Sequence, residues 1–533
     1  MDEQIREHEN AVNTIELKKT VIKLKRSRNA LLNISTLPPE ILGKIFQSNV
    51  TLEDDFDGLE EGSHEFLSVC HHWHEVALHT PGIWSFWGNT LSDWARWYRY
   101  SATAPLDLVL GPSDQYEDDG PFDDALDNTL QDRAARDTIR RIHLRREDAA
   151  LLNSIISSLA AACEGVRSNS VESLIVLNEV KEPVDVSDFF AHCRFPKLQR
   201  LNLDRCRIAS WDLLTSRTAA LTTLILHFHN SSPTPTTPQL LTILASNPIL
   251  RELSLSGNAI PNDGGGGSAL RVPLHHLKIL QLAGGVQHVL GLLHQLDHPT
   301  NMDDLAIALS ICAVTDIPQT IGPYLRDHFR LRGRSRNGLA LRVARLNCYI
   351  ILHAGDICGC CLPAPERHVD WFLGVTLFFD QTTSNLLEGG FLDLIAHTPR
   401  EDVVRFEPLG GFVAVDDMSA QFPNIRALKF DTGTVPLSTI FPESRMGEDE
   451  EVLPSLQHIE FQSYRGDGNW SPLVAFLARR ASSGSRLSSL AISHSHVCPE
   501  VEERIGSVVQ VFHFDGSVGR CPFGICNPGR YPW

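Results

Sequence analysis

One spacing recurs through most of this 533-residue chain: an apolar residue, two others, an apolar residue, one other, and a third apolar residue. Its clearest copies are Leu198-Gln-Arg-Leu-Asn-Leu203 and Leu250-Arg-Glu-Leu-Ser-Leu255. Further copies begin at Ile139, Val171, Leu221, Leu277, Met302, Ile425, Leu456 and Leu487. Weaker ones begin at Leu341, Phe372 and Glu401, the last with a polar first position. Consecutive starts lie 23 to 39 residues apart. The closing apolar-x-apolar step has the period of a strand, which turns Leu201 and Leu203 to one face and Asn202 and Asp204 to the other. Helix-like segments separate the copies, among them Leu151–Cys163, Gln239–Ser246, Val286–Leu296 and Pro472–Arg480. A single strand–helix unit has an apolar face that it cannot bury alone, so neighbouring units must stack. The expected fold class is therefore α/β, an irregular solenoid with one exposed strand surface.

Composition narrows the setting. Apolar residues make up 42% and charged residues 21%, enough for a large buried core. No stretch reaches the ~18 apolar residues that would span a bilayer, and the polar start MDEQIREHEN is unlike a secretory leader. The 12 cysteines are irregularly spaced, as expected in a reducing compartment, so a cytoplasmic or nuclear location is anticipated. The net charge is −18, but Glu53 to Glu61, Asp114 to Asp127 and Glu448 to Glu451 hold 17 acids and no bases. Outside them 48 acids face 47 bases, so the body is nearly neutral and the acidity reads as solvated loops. Neither a nucleic acid nor a membrane is expected as a partner, the first because it demands a clustered positive surface.

Residues 2 to 32 contain no Gly or Pro and run from acids (Asp2, Glu3, Glu7, Glu9) to bases (Lys18, Lys19, Lys23, Lys25, Arg26, Arg28). That polarity suits the dipole of a helix, either lone or weakly coiled with another. The segment Ile34-Ser-Thr-Leu-Pro-Pro-Glu-Ile-Leu-Gly-Lys-Ile-Phe46 comes next. Pro38 and Pro39 suit a first helical turn, and Ile41, Leu42, Ile45 and Phe46 fall at helical spacing, an expected single apolar face. Phe66, Val69, Cys70, Trp73, Val76 and Ala77 step by three and four, which predicts a second amphipathic helix before Thr80-Pro-Gly-Ile-Trp84. Two short helices in some fifty residues need a partner surface to bury their apolar faces.

This segment resembles an F-box on Leu37, Pro38, Glu40, Ile41, Ile45, Phe46, Val69, Cys70, Trp73 and Trp84, taken in that order. The resemblance covers roughly residues 33 to 85. It extends more loosely through Arg96-Trp-Tyr-Arg-Tyr-Ser-Ala-Thr-Ala-Pro-Leu-Asp-Leu, which is similar to the segment after the box in many fungal members. The chain departs from the family at Glu53 to Gly62, an acidic Gly-containing insertion where a short apolar helix is usual. The downstream template is similar to leucine-rich repeats, which favour a Cys or Asn where this chain has Cys206 and Asn258. Together the resemblances imply a substrate-recognition subunit of a Skp–cullin–F-box ubiquitin ligase. Leu37, Pro38, Ile41, Leu42, Ile45, Phe46, Val69, Cys70 and Trp73 would bind the Skp-type adaptor and, through it, a cullin. Asn202, Asp204, Ser254 and Ser256 are candidates to bind an unidentified protein substrate. The alternative is a repeat scaffold outside any ligase.

The implied organisation is an N-terminal helix (1–32), the F-box (33–85), and a linker with a first repeat or cap and an acidic loop (86–138). The repeats (139–515) and a tail (516–533) complete it. Other constellations carry little chemistry. His74 and His79 are five residues apart, whereas two zinc ligands on one helical face need four. Cys358-Gly-Cys-Cys361 lies near His353 and His368 but has no second Cys pair nearby; free thiols fit better than a site completed by Cys521 and Cys526. The pairs His227/His229 and His494/His496 read as polar positions of the repeat. Gly264 to Gly267 lacks the frame of a phosphate loop. Arg326, Arg330, Arg332, Arg334 and Arg336 form either a solvated loop or a patch for an acidic partner. No motif for nucleophilic, metal or cofactor chemistry is present, so neither an enzyme, a metal nor a cofactor is expected.

Overall fold

The structure is a computed structural model. It describes residues 18–24, 34, 37–50, 66–87, 99–101, 104–110, 138–146, 148–163, 170–180, 182–218, 220–228, 233–263, 271–299, 302–311, 317–332, 339–346, 349–357, 369–379, 398, 401–409, 415–431, 436–442, 452–462, 464, 469–495 and 497–515. The three acidic segments, the Cys358–Cys361 cluster, Gly264 to Gly267, Arg334, Arg336 and the tail from 516 lie outside these residues. Of the expected N-terminal helix, residues 18–24 are described; they are helical and exposed. The chain is mixed α/β with parallel sheets, in two compact units: Met1–Pro233 with Pro238–Asn247, and Thr234–Thr237 with Pro248–Trp533. The division falls at 233/234, 237/238 and 247/248, in and just after the Pro-rich loop 231–238 that interrupts the repeats.

The first unit opens with helices α1 (Pro39–Val50), α2 (Phe66–Val69) and α3 (His71–Leu78), then a 3-10 turn at Pro81–Ile83. Its sheet runs β1 (Phe86–Trp87), β2 (Leu106–Leu110), β3 (Ile139–Arg146), β4 (Ser173–Asn178), β5 (Arg200–Asp204) and β6 (Thr223–Phe228). Each strand is parallel to the one before it, so the sheet begins ahead of residue 139. Helices α4 (Ala149–Cys163), α5 (Ser187–His192) and α6 (Asp212–Arg217) make the crossovers after β3, β4 and β5. In register, Leu108, Ile142, Leu174, Leu201 and Leu224 form one row, and Leu110, Leu144, Val176, Leu203 and Leu226 the next. All ten are buried. From β3 to β6 these are the second and third apolar positions of the repeated spacing, so the pattern is read out as the sheet's core face, which Leu108 and Leu110 extend into β2. Cys206, eight residues after Leu198, is fully buried, and burial pushes its thiol pKa far up.

α7 (Thr237–Ala245) precedes the second unit's sheet. That sheet contains β7 (Glu252–Gly257), β8 (Ile279–Gly285), β9 (Asp304–Ile311), β10 (Leu339–Leu346), β11 (Tyr349–Ile357), β12 (Val369–Phe379), β13 (Val403–Leu409), β14 (Ala427–Asp431), β15 (His458–Gln462), β16 (Ser489–Ser493) and β17 (Val511–Phe514). The spatial order is not the chain order. β9 pairs with β12, β12 with β11, β11 with β10, and β10 with β13. β11 is antiparallel to both its neighbours, and every other pair is parallel. Helices α8 (Val286–Gln295), α9 (Ile317–Arg332), α10 (Val415–Gln421), α11 (Leu437–Ile440), α12 (Ser471–Ser482) and α13 (Pro499–Val508) supply connections.

One register row crosses all eleven strands: Leu253, Leu280, Leu305, Leu373, Ala354, Leu341, Phe406, Leu428, Ile459, Leu490 and Phe512. It corrects the frame of the three weak copies. The start at Leu341 would put Ala344 in this row, but Leu341 itself occupies it; Leu373 stands where Phe372 as a start would put Val375. Around Glu401 the frame begins instead at the buried Val403 and reaches the row at Phe406. A buried arginine anchors the connection before β15. Arg480 on α12 donates to the carbonyls of Val452 (2.9 Å), Leu453 (2.7 Å) and Leu456 (3.0 Å).

Candidate partner-binding surfaces

The three N-terminal helices form a small core of their own. Leu42, Phe46, Phe66, Val76, Ala77, Ile83 and Trp84 are its buried members, and Leu37, Leu67, Trp73, Leu78 and Tyr100 pack around them. Phe46 stacks on Phe66 with centroids 4.7 Å apart and lies 5.1 Å from Trp73. Trp84 packs 5.0 Å from Tyr100 and donates its indole N–H to the Ala77 carbonyl at 2.7 Å. Such a partner is what a buried indole requires. Two glycines set the closeness of the packing: a Cβ on Gly43 would stand 2.8 Å from Thr80 Oγ1, and one on Gly82 2.6 Å from Gln47 Nε2.

This core corrects the single apolar face expected of α1. Residues i and i+1 are about 100° apart on a helix, so the pairs 41/45 and 42/46 make two stripes. Leu42 and Phe46 are fully buried in the cluster, whereas Ile41 is 44% and Ile45 39% exposed. Leu42 and Phe46 therefore hold the helix in place and present no surface to a partner. Pro38 is exposed at the start of the same helix, and Leu37 is half-buried. The second expected helix is two: Cys70, extended, caps α3 by accepting the Trp73 N–H on Sγ at 3.5 Å. Cys70 and Trp73 are half-buried, and Val69, on the short α2, is 51% exposed. Ile34 is exposed as well. Two of the nearby histidines serve the backbone: His74 Nδ1 donates to the Leu67 carbonyl (3.3 Å) and His79 Nδ1 to that of Glu75 (2.7 Å).

The second surface is the side of the strands opposite the leucine rows. Asn202 and Asp204 stand on it, half-exposed, in register with Ile225 and His227. In the second unit Ser256 is half-exposed on the corresponding face of β7. Ser254 is a correction: it is buried, with its hydroxyl 3.4 Å from Gln281 Oε1, because the longer Gln281 side chain in the next strand lies over it. The face is polar and largely self-satisfied. Lys429 meets Glu460 at 2.8 Å, His458 meets Ser489 at 2.7 Å, and Arg405 lies buried against Glu407 at 2.8 Å. Arg326 and Arg330 are exposed one turn apart on α9, Arg330 with Asp327 at 3.7 Å.

Among the described residues no group of three or more His, Cys, Asp or Glu is placed to hold a metal ion, and no helix is long and apolar enough to cross a membrane. No protein-family model and no curated protein matches the chain.

Proposed function

We propose that residues 33–85 act as an F-box that docks a Skp-type adaptor, and that the repeated strands downstream form an irregular leucine-rich-repeat-like solenoid holding a protein substrate for a cullin-based ubiquitin ligase. The observation that carries this reading is the division of labour on α1. Leu42 and Phe46 complete an internal core, while Ile41 and Ile45 stand exposed one turn apart beside Pro38. Apolar residues exposed side by side on an ordered helix offer a contact surface to another molecule. The proposed protein performs no chemistry itself. It raises the local concentration of substrate lysines near the ligase's charged enzyme, a tethering effect.

The test is co-elution of the full chain with a purified Skp-type adaptor on a sizing column, beside Ile41→Ala/Ile45→Ala. A stoichiometric complex that the double variant loses supports the reading. If no complex forms with the unaltered chain, the F-box reading fails and the protein is a scaffold built on its strands.

A further inference from the structure

The loop that leads into α7 carries three hydroxyl residues, each followed by proline, within seven positions: Ser232-Pro233, Thr234-Pro235 and Thr237-Pro238. None of them enters the F-box reading. Ser232 lies outside the described residues, and the two threonines differ in what holds them. Thr237 is 6% exposed at the first position of α7. Its backbone N–H donates to Asp263 Oδ2 at 2.8 Å, and its hydroxyl donates to Asp263 Oδ1. A carboxylate that accepts from the first turn of a helix is favoured by the dipole, and charge-assisted bonds are among the strongest a protein makes.

Thr234 is held much less. Residues 233–236 form neither helix nor strand, as expected where a proline pushes the residue before it toward an extended backbone. Thr234 is half-exposed, and its hydroxyl makes one long contact, donating to Asn262 Oδ1 at 3.4 Å. That distance is beyond the usual range for a hydroxyl donor. Pro235 is buried, so the segment must lift from the surface to enter another protein's cleft. Lifting costs Thr234 one long contact, whereas freeing Thr237 breaks two bonds to a carboxylate and the start of a helix.

We propose that Thr234 is the phosphorylation site of this loop, for a kinase that selects proline after the acceptor, and that its modification unlocks Thr237 as a second site. The γ-phosphoryl of a nucleoside triphosphate passes to Thr234 Oγ1. The P–O bond to the β-phosphate breaks, the P–Oγ1 bond forms, the hydroxyl proton goes to the kinase's base, and the nucleoside diphosphate leaves. The product adds about −1.5 to −2 charges at neutral pH. It stands beside Asn262, the residue before Asp263 in the chain, so the added charge repels the carboxylate that holds Thr237. Thr237, once released, meets the same kinase.

The experiment is a time course of the full chain with a proline-directed serine/threonine kinase and ATP, the sites being mapped by mass spectrometry. Ser232→Ala is present in every arm, so that within the loop the two threonines are compared alone. Thr234 should acquire phosphate first, about tenfold or more faster than Thr237, the factor that one bond to a charged acceptor is worth. Phosphate on Thr237 should occur on chains already modified at Thr234. Thr234→Ala should leave Thr237 unmodified over the same interval, and adding Asp263→Ala to that variant should restore its modification. Phosphate on Thr237 first, on both at equal rates, or on neither would overturn the site. Thr234 modified with Thr237 untouched throughout, or Thr237 still protected when Asp263→Ala is present, would overturn the unlocking. Circular dichroism and melting curves of the Asp263→Ala chain tell a released Thr237 from an unfolded one. The order of the two sites in the chain that keeps Asp263 decides the proposal without that variant.

Discussion

Replacing Phe46 with Ala and replacing Ile41 with Ala should have opposite consequences, although the two residues lie five positions apart on one helix. Phe46 is 1% exposed and its ring is held between Phe66 and Trp73. Deleting a buried Phe side chain costs about 3–5 kcal/mol. A segment of roughly fifty residues carries about 3–7 kcal/mol of stability in all, at 0.05–0.15 per residue. Phe46→Ala therefore removes most of what holds the three helices together. Ile41 gives up far less, because an exposed position away from caps and cores shifts stability by about 0.5 kcal/mol or less. The assay is hydrogen exchange of residues 66–84 within the full chain. Phe46→Ala should lower their protection by about 100-fold or more, since each 1.4 kcal/mol is tenfold, while Ile41→Ala leaves it within about threefold. Equal loss in both variants would refute the assignment of inner and outer stripes. So would unchanged protection in Phe46→Ala.

Two further outcomes rest on buried polar groups. Arg480→Met removes three charge-assisted hydrogen bonds and strands three carbonyls, so it should cost about 3 kcal/mol or more and lower the melting temperature of the second unit by roughly 5 °C; an unchanged melting curve would show that the connection before β15 does not depend on it. Burial holds His298 below its ordinary pKa of 6.5, against the opposing pull of the Pro299 carbonyl and the Asp297 charge, with its Nε2 3.3 Å from the Tyr324 hydroxyl. Between the lowered folded value and 6.5 the unfolded chain binds more protons, so stability falls as pH drops through that window. Urea midpoints at about pH 7.5 and 5.5 should therefore diverge more for the unaltered chain than for His298→Gln, and identical divergence would rule out His298 as the cause.

The repeated spacing was legible to a degree that its physics explains. Each expected start falls inside a strand or two residues ahead of one, because the spacing encodes strand period and burial at once. Its frame failed only where the register ceased to run strand by strand along the chain, at Leu341, Phe372 and Glu401. Tyr349–Ile357 was missed: its one copy of the spacing, Tyr349, Leu352 and Ala354, begins only eight residues after Leu341, outside the rhythm of the others, and the strand pairs antiparallel. At α1, four apolar residues in adjacent pairs read as one face, and only packing against Phe66 and Trp73 shows which pair turns inward. Burial of Ser254 depends on the side chain opposite it in the next strand, a relation that a single segment does not contain.

The reversed order of β10, β11 and β12 has a bearing on how this chain tolerates change in length. β12 is parallel to β9 on one side, β10 is parallel to β13 on the other, and the antiparallel β11 between them restores the direction. The three strands are thus neutral in polarity, and their row positions, Leu373, Ala354 and Leu341, bridge Leu305 to Phe406 without a break. A shortened chain lacking residues 339–402 would keep α9 as the crossover that a parallel pair needs and would bring β9 and β13 together in the same direction and on the same row. The block is a self-contained splice: it widens the sheet by three strands and asks nothing of the strands on either side except the edge they would otherwise offer each other.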